Sequence, residues 1–170
     1  MDAKLNEFLL EIGSTIGEAV REIAETMLFV PIGAGEVSLG PCGMEMAHGA
    51  WIALDGGIIA RFHLIATEAS ALRLAGALLG DSREAWDEEL GDAFGEVANM
   101  IAGGMVTRFE DRSHGSVGMT PPTRVTPGEP FPEHDASAVV IVHQTFTLEG
   151  DPFAAEILFP LDFALTKAGA

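Results

Sequence analysis

Apolar residues in the first segment recur mostly three and four positions apart: Leu5, Phe8, Leu9, Ile12, Ile16, Val20, Ile23 and Met27. That spacing predicts an amphipathic helix over 2–29 with one buried stripe. Gly13 and Gly17 weaken it, and Pro31 and Gly33 end it. The pattern then shortens to strand-like pieces at 36–39 and 50–54, a tight turn at Gly56-Gly57, and a returning strand over 58–65. Both faces of that strand are largely apolar, so a central place in a sheet is expected. Thr67 caps the next helix, whose core is Leu72, Leu74, Ala75, Leu78 and Leu79, and Gly80 closes it. A second long helix is predicted over 83–109, starting from Asp81 or Ser82. After it, 115–124 reads as extended and is broken by Pro121-Pro122, and 127–132 reads as loop. A strong strand follows over 138–148, then a turn at Glu149-Gly150-Asp151 and a returning strand over 153–159. Residues 1–165 read as one domain, and the small-residue tail 166–170 is expected to fray.

A long helix followed by a β-hairpin therefore occurs twice, which predicts a pseudo-repeat of two halves. Hairpins pair antiparallel, so the fold class is α+β: an antiparallel-dominated sheet with helices packed on it. At 170 residues, 48% apolar and 21% charged, the chain can build an ordinary core without a disulfide or metal staple.

Charge narrows the partners. Nine Lys and Arg against 26 Asp and Glu leave a net charge of −17, which disfavours nucleic acid and anionic membrane surfaces. A partner presenting a cationic group fits better. One cysteine, Cys42, excludes an intramolecular disulfide and fits a reducing cytoplasm. The opening MDAKLNEF has neither a basic n-region nor an apolar h-region, so no signal peptide is expected. The five histidines, His48, His63, His114, His134 and His143, form no ligand spacing, and no metal is assigned. Phosphate-loop and nucleophile-elbow motifs are absent from the sequence. The acids Asp87, Glu88 and Glu89 read as a solvated helix start that complements the dipole.

The second long helix carries the candidate chemistry. Leu90, Phe94, Val97, Ala98, Ile101 and Met105 make its core stripe. Asp92, Glu96, Asn99 and Gly103, spaced four, three and four, line the opposite side, so Glu96 and Asn99 are neighbours one turn apart. Gly95, Ala102 and Gly103 leave little bulk beside them. Gly103 and Gly104 together cost the helix roughly 1–2 kcal/mol relative to alanine. A helix that gives up propensity while presenting a carboxylate and a carboxamide reads as a docking face. From spacing alone Glu96 and Asn99 read equally well as ordinary solvated polar residues, with the glycines packed on a strand.

The run Asp92-x3-Glu96-x2-Asn99, then 22 residues, then Pro122, resembles the signature of the CheC/CheX/FliY family of chemotaxis phosphatases. The resemblance covers essentially the whole chain, including the helix–hairpin repeat. It implies a phosphatase acting on the aspartyl phosphate of a CheY-like response regulator. By resemblance Glu96 would bind the regulator's lysine and Asn99 would orient the attacking water. Asp92, Gly95 and Gly103 would form the partner-binding strip, and Pro122 would shape its flank. Mg2+ would belong to the regulator, with no cofactor bound by this chain. The first half offers Ser14-x3-Glu18-x2-Arg21 with Met44 at the proline position. Arg21 has no acceptor for a water, so this half is expected to be inactive. A single site is closer to CheX than to CheC, and implies a homodimer. The competing expectation is a non-catalytic module of the same fold that binds a phosphorylated regulator or a flagellar-switch component.

Overall fold

The computed structural model describes residues 2–125 and 127–170. The chain enters α1 (Ala3–Ile23) at Asp2, whose carboxylate accepts from the Lys4 N–H at 2.9 Å. Gly13 and Gly17 do not break the helix; they seat it on the sheet. A Cβ on Gly17 would lie 2.6 Å from Gln144 Oε1, and one on Gly13 would lie 2.6 Å from Val142 Cγ1. The helix then widens into a π-helical turn, Ala24–Leu28, and stops at Phe29 in the left-handed region.

Among the described residues seven strands follow: β1 (Gly33–Leu39), β2 (His48–Gly56), β3 (Ala60–Ala66), β4 (Val117–Met119), β5 (Thr123–Val125), β6 (Val139–Leu148) and β7 (Asp151–Pro160). They form one sheet of order β1-β6-β7-β3-β2-β4, with β5 also on β2, and every pairing is antiparallel. The hairpins β2–β3 and β6–β7 meet at the centre, where His63 faces Glu156. Outside them the halves interlock. β1 of the first half pairs with β6 of the second, and β4 and β5 of the second pair with β2 of the first. The pseudo-repeat is thus one closed unit, since neither half completes its sheet without the other.

Helices α2 (Glu68–Leu79), α3 (Glu88–Asp111) and α4 (Leu161–Gly169) complete the fold. Thr67 and Ser70 cap α2 reciprocally, and Gly80 ends it in the left-handed region. Phe62, Phe146, Phe153 and Phe159 from the sheet join Leu9, Ile12 and Ile16 of α1 and Phe94 and Phe109 of α3 in one core. Each such side chain contributes about 1.5–3 kcal/mol on full burial. α1 and α3 run antiparallel: Ala19 lies against Gly104, while Ser14 lies against Arg112. Two loops, 40–47 and 127–138, reach the other face of the sheet. Phe131 stacks on His63 at 3.8 Å, Arg61 donates to the Pro132 carbonyl at 2.7 Å, and the Cys42 N–H donates to Glu156 at 2.6 Å.

Two expectations change. α3 starts at Glu88, not at 83, because Asp87 caps it by accepting from the Leu90 N–H. The preceding residues are held otherwise: Arg83 bonds Asp81, Asp87 and Glu89, and Trp86 stacks on His48 at 3.7 Å. The tail expected to fray over 166–170 is helical as far as Gly169. Its anchor is Ala164, which is fully buried, together with Phe163, whose ring stacks on that of Phe159.

Candidate functional site

With the cap set at Asp87, the large side chains of α3 that turn into the core are Leu90, Phe94, Val97, Ile101, Met105 and Phe109, with Ala93, Ala98 and Ala102 among them. Helical geometry then directs Asp92, Glu96, Asn99 and Gly103 outward, as the spacing predicts. Glu96 is exposed and Asn99 is half-buried. Three positions apart, their Cβ atoms are about 5–6 Å from each other. Among the described residues neither side chain makes a hydrogen bond or ion pair within the chain, whereas the acids around them do. The pair therefore offers a carboxylate free to take a cation, and a carboxamide with donor and acceptor both unspent.

The two glycines expected beside this pair behave differently. A Cβ on Gly103 would meet no heavy atom within 4 Å, so that position is open surface. Gly95 is a correction: it is buried, and a Cβ there would lie 3.8 Å from both Pro122 Cγ and Arg124 Cγ. The segment entering β5 packs over it, so Gly95 is not on the exposed face. Ala102 is likewise buried. Pro122 thus stands where the signature implies, on the flank of α3.

Arg124, which spacing along the helix could not reveal, crosses α3 at Gly91, where its guanidinium fills the space a side chain would need. Its Nη2 reaches Glu88 at 3.0 Å and Asp92 at 3.5 Å. Asp92, although 79% exposed, is therefore already paired. Behind Arg124 a cavity of about 310 Å3 is lined by His48, Trp86 and Phe94.

On the opposite flank the degenerate motif of α1 is tied down. Glu18 pairs with Arg108 at 3.1 Å and with Arg112 at 2.8 Å, and Arg112 also reaches Ser14 Oγ at 3.3 Å. Glu22 takes the other arm of Arg108 at 2.8 Å. Arg21 is exposed, and Met44 lies in the loop between β1 and β2. What would be the acidic member of a first site thus serves to clamp α1 against α3.

Other titratable groups lie apart from this face. Burial pushes His63 below the ordinary histidine value, against the pull of Glu156 at 3.6 Å. Burial alone would raise Glu156, but the nearby His63 ring at 3.6 Å and the bond from the Cys42 N–H outweigh it and hold the carboxyl low. The Cys42 thiol is pushed up to about 11, chiefly by burial. Among the described residues no three His, Cys, Asp or Glu side chains converge as metal ligands, and no helix is long and apolar enough to cross a membrane. A cavity of about 790 Å3 between α2 and the Phe29 corner shares no residue with the α3 stripe.

A family model described as chemotaxis phosphatase CheX matches residues 48–146, more than half of the chain. That stretch holds Asp92, Glu96, Asn99 and Pro122 and leaves out α1. Among solved structures, the chain is similar to a chemotaxis protein CheX from Desulfovibrio desulfuricans subsp., with TM-score 0.74 and 19% identity over 86% of this chain and 97% of that one. It is similar to the CheX-CheY-BeF3-Mg+2 complex from Borrelia burgdorferi, with TM-score 0.68 and 21% identity over 86% and 95%. Thermotoga maritima FliY gives TM-score 0.71 and 17% identity over 99% and 96%. At such identities the structural likeness is one of fold. No functionally curated protein matches the chain. The family is carried by the sequence model over the helix and its flank: this chain belongs to the CheX family of chemotaxis phosphatases.

Proposed function

We propose that this chain docks on a phosphorylated CheY-like response regulator and speeds hydrolysis of its aspartyl phosphate. The observation that carries the reading is that Glu96 and Asn99, on the open stripe of α3, are unpaired among the described residues. An acyl phosphate is already activated, so positioning and charge stabilisation suffice and no protein nucleophile is needed. The Asn99 carboxamide oxygen accepts a bond from water and aims it at phosphorus, in line with the departing carboxylate. The water oxygen bonds to phosphorus as the bond to the aspartyl oxygen breaks; the electron pair stays on the aspartate as carboxylate, and the water's two protons leave on the inorganic phosphate. Glu96 pairs with the regulator's active-site lysine and sets the angle of approach. Gly103 leaves room for the partner's backbone. Mg2+ sits on the regulator in this scheme. The Borrelia burgdorferi complex, in which a CheX meets CheY with BeF3 and Mg+2, supports the choice of partner. A homodimer is proposed on the CheX-like, single-site character of the sequence, and sedimentation of the purified chain tests it.

The experiment follows the lifetime of a phosphorylated regulator with and without this protein. Asn99→Ala is expected to abolish acceleration while binding largely persists. Glu96→Ala should weaken both binding and rate. A wild-type chain that binds the phosphorylated regulator yet leaves its lifetime unchanged is a binding module, and the enzymatic reading fails.

A further inference from the structure

The α3 stripe presents two carboxylates one turn apart, Asp92 and Glu96, with Glu88 a further turn back. Any of the three could attract a partner's cation, yet under the function proposed above only pairing at Glu96 sets Asn99 correctly. The fold distinguishes them with a single residue. Arg124 arrives on β5, which is fixed by pairing with Gly49–Trp51 of β2, and lies across α3 at Gly91. From there it reaches Glu88 at 3.0 Å and Asp92 at 3.5 Å. One glycine permits this: Gly91 makes room for the guanidinium, while the stem of Arg124 and Pro122 pack over Gly95.

We infer that Arg124 is a positioning residue of the docking face: it pairs with the exposed Glu88 and Asp92 and, among the described residues, leaves Glu96 as the carboxylate of the stripe without a cation of its own to offer the partner's lysine. The inference rests on the functional reading and adds a register to it. Electrostatic complementarity fixes register more than it adds affinity, so loss of Arg124 allows a partner to dock one or two turns out of place. Three carboxylates of equal pull would leave about one docked partner in three in the productive register.

Non-productive docking has its own kinetic form. In Arg124→Gln, kcat and KM for the phosphorylated regulator should fall together by about threefold, with kcat/KM unchanged. Adding Asp92→Asn and Glu88→Gln to Arg124→Gln should restore both, because the competing charges are gone. Arg124→Lys, which keeps a cation near both acids, should recover most of the loss. A residue that merely braced β5 would give a different result: the added neutral substitutions would not rescue a displaced strand. No change, a raised KM, or a loss that Asp92→Asn and Glu88→Gln fail to restore overturns the inference while leaving the phosphatase reading intact. A wild-type chain that does not shorten the regulator's lifetime overturns that reading, and the inference with it.

Discussion

Gly103 and Gly104 are adjacent in one helix, and the structure predicts opposite results from the same substitution. In a helix interior, glycine to alanine gains about 1 kcal/mol from backbone entropy. At Gly103 nothing opposes the gain, since a Cβ there meets no atom within 4 Å. Gly103→Ala should therefore stabilise the fold by about 1 kcal/mol, and for a chain of this size raise Tm by about 2–4 °C. At Gly104 the added carbon would sit 3.3 Å from Ala19 Cβ and 3.7 Å from Ala19 Cα. Ala19 is fully buried and has no rotamer to swing aside, and α1 is clamped to α3 by the pairs of Glu18 and Glu22 with Arg108 and Arg112. Overpacking of this kind costs about 1–3 kcal/mol, so Gly104→Ala should be neutral or destabilising. Urea denaturation of the two variants beside wild type reads the difference. Equal gains at both positions, or a loss at Gly103, would refute the packing argument. The same position separates stability from docking: Gly103→Gln should fold normally yet slow dephosphorylation of the regulator. Wild-type turnover by Gly103→Gln would show that the open stripe is not the docking face.

Acid should weaken the fold. Burial holds His63, His114 and His134 below the ordinary value of 6.5, so the unfolded chain takes up protons that the folded chain refuses. Stability is then full above about pH 6.5 and declines as pH falls from there, with Glu156 adding to the loss below its ordinary 4.5. The urea midpoint should be lower at pH 5 than at pH 8, and equal midpoints would contradict the assignment. His114, whose buried Nε2 has no partner among the described residues and whose ring packs T-shaped against Phe8 and Phe109, supplies part of this slope, and His114→Phe should flatten it. Cys42 should be sluggish towards iodoacetamide. A thiol at about 11 instead of 9.0 carries about a hundredfold less thiolate at neutral pH, so alkylation of the native chain should trail that of the unfolded chain by about that factor. Comparable rates would place the thiol outside its pocket.

What could be read before folding was whatever follows from local spacing. Residues three and four apart share a helix side by geometry alone, so Asp92, Glu96, Asn99 and Gly103 were already on one line, with Pro122 at its proper interval. Strand periodicity and turn residues likewise set both hairpins and the antiparallel class. The start of α3 was misplaced because Arg83 and Trp86 make contacts that no helical pattern records. The final helix was missed because its anchor is one buried alanine and one ring stacked on β7.

The tertiary structure decided which of the aligned groups are free. Asp92 is matched by Arg124 only because β5 pairs with β2 and passes over Gly91. Glu18 is consumed by Arg108, ninety positions later, only because α1 and α3 lie antiparallel. Gly103 is open and Gly104 is closed because one helical step turns about 100°, which here separates solvent from a neighbouring helix. Periodicity fixes the direction in which a side chain points; what it meets there depends on chain that arrives from elsewhere, and that is a property of packing.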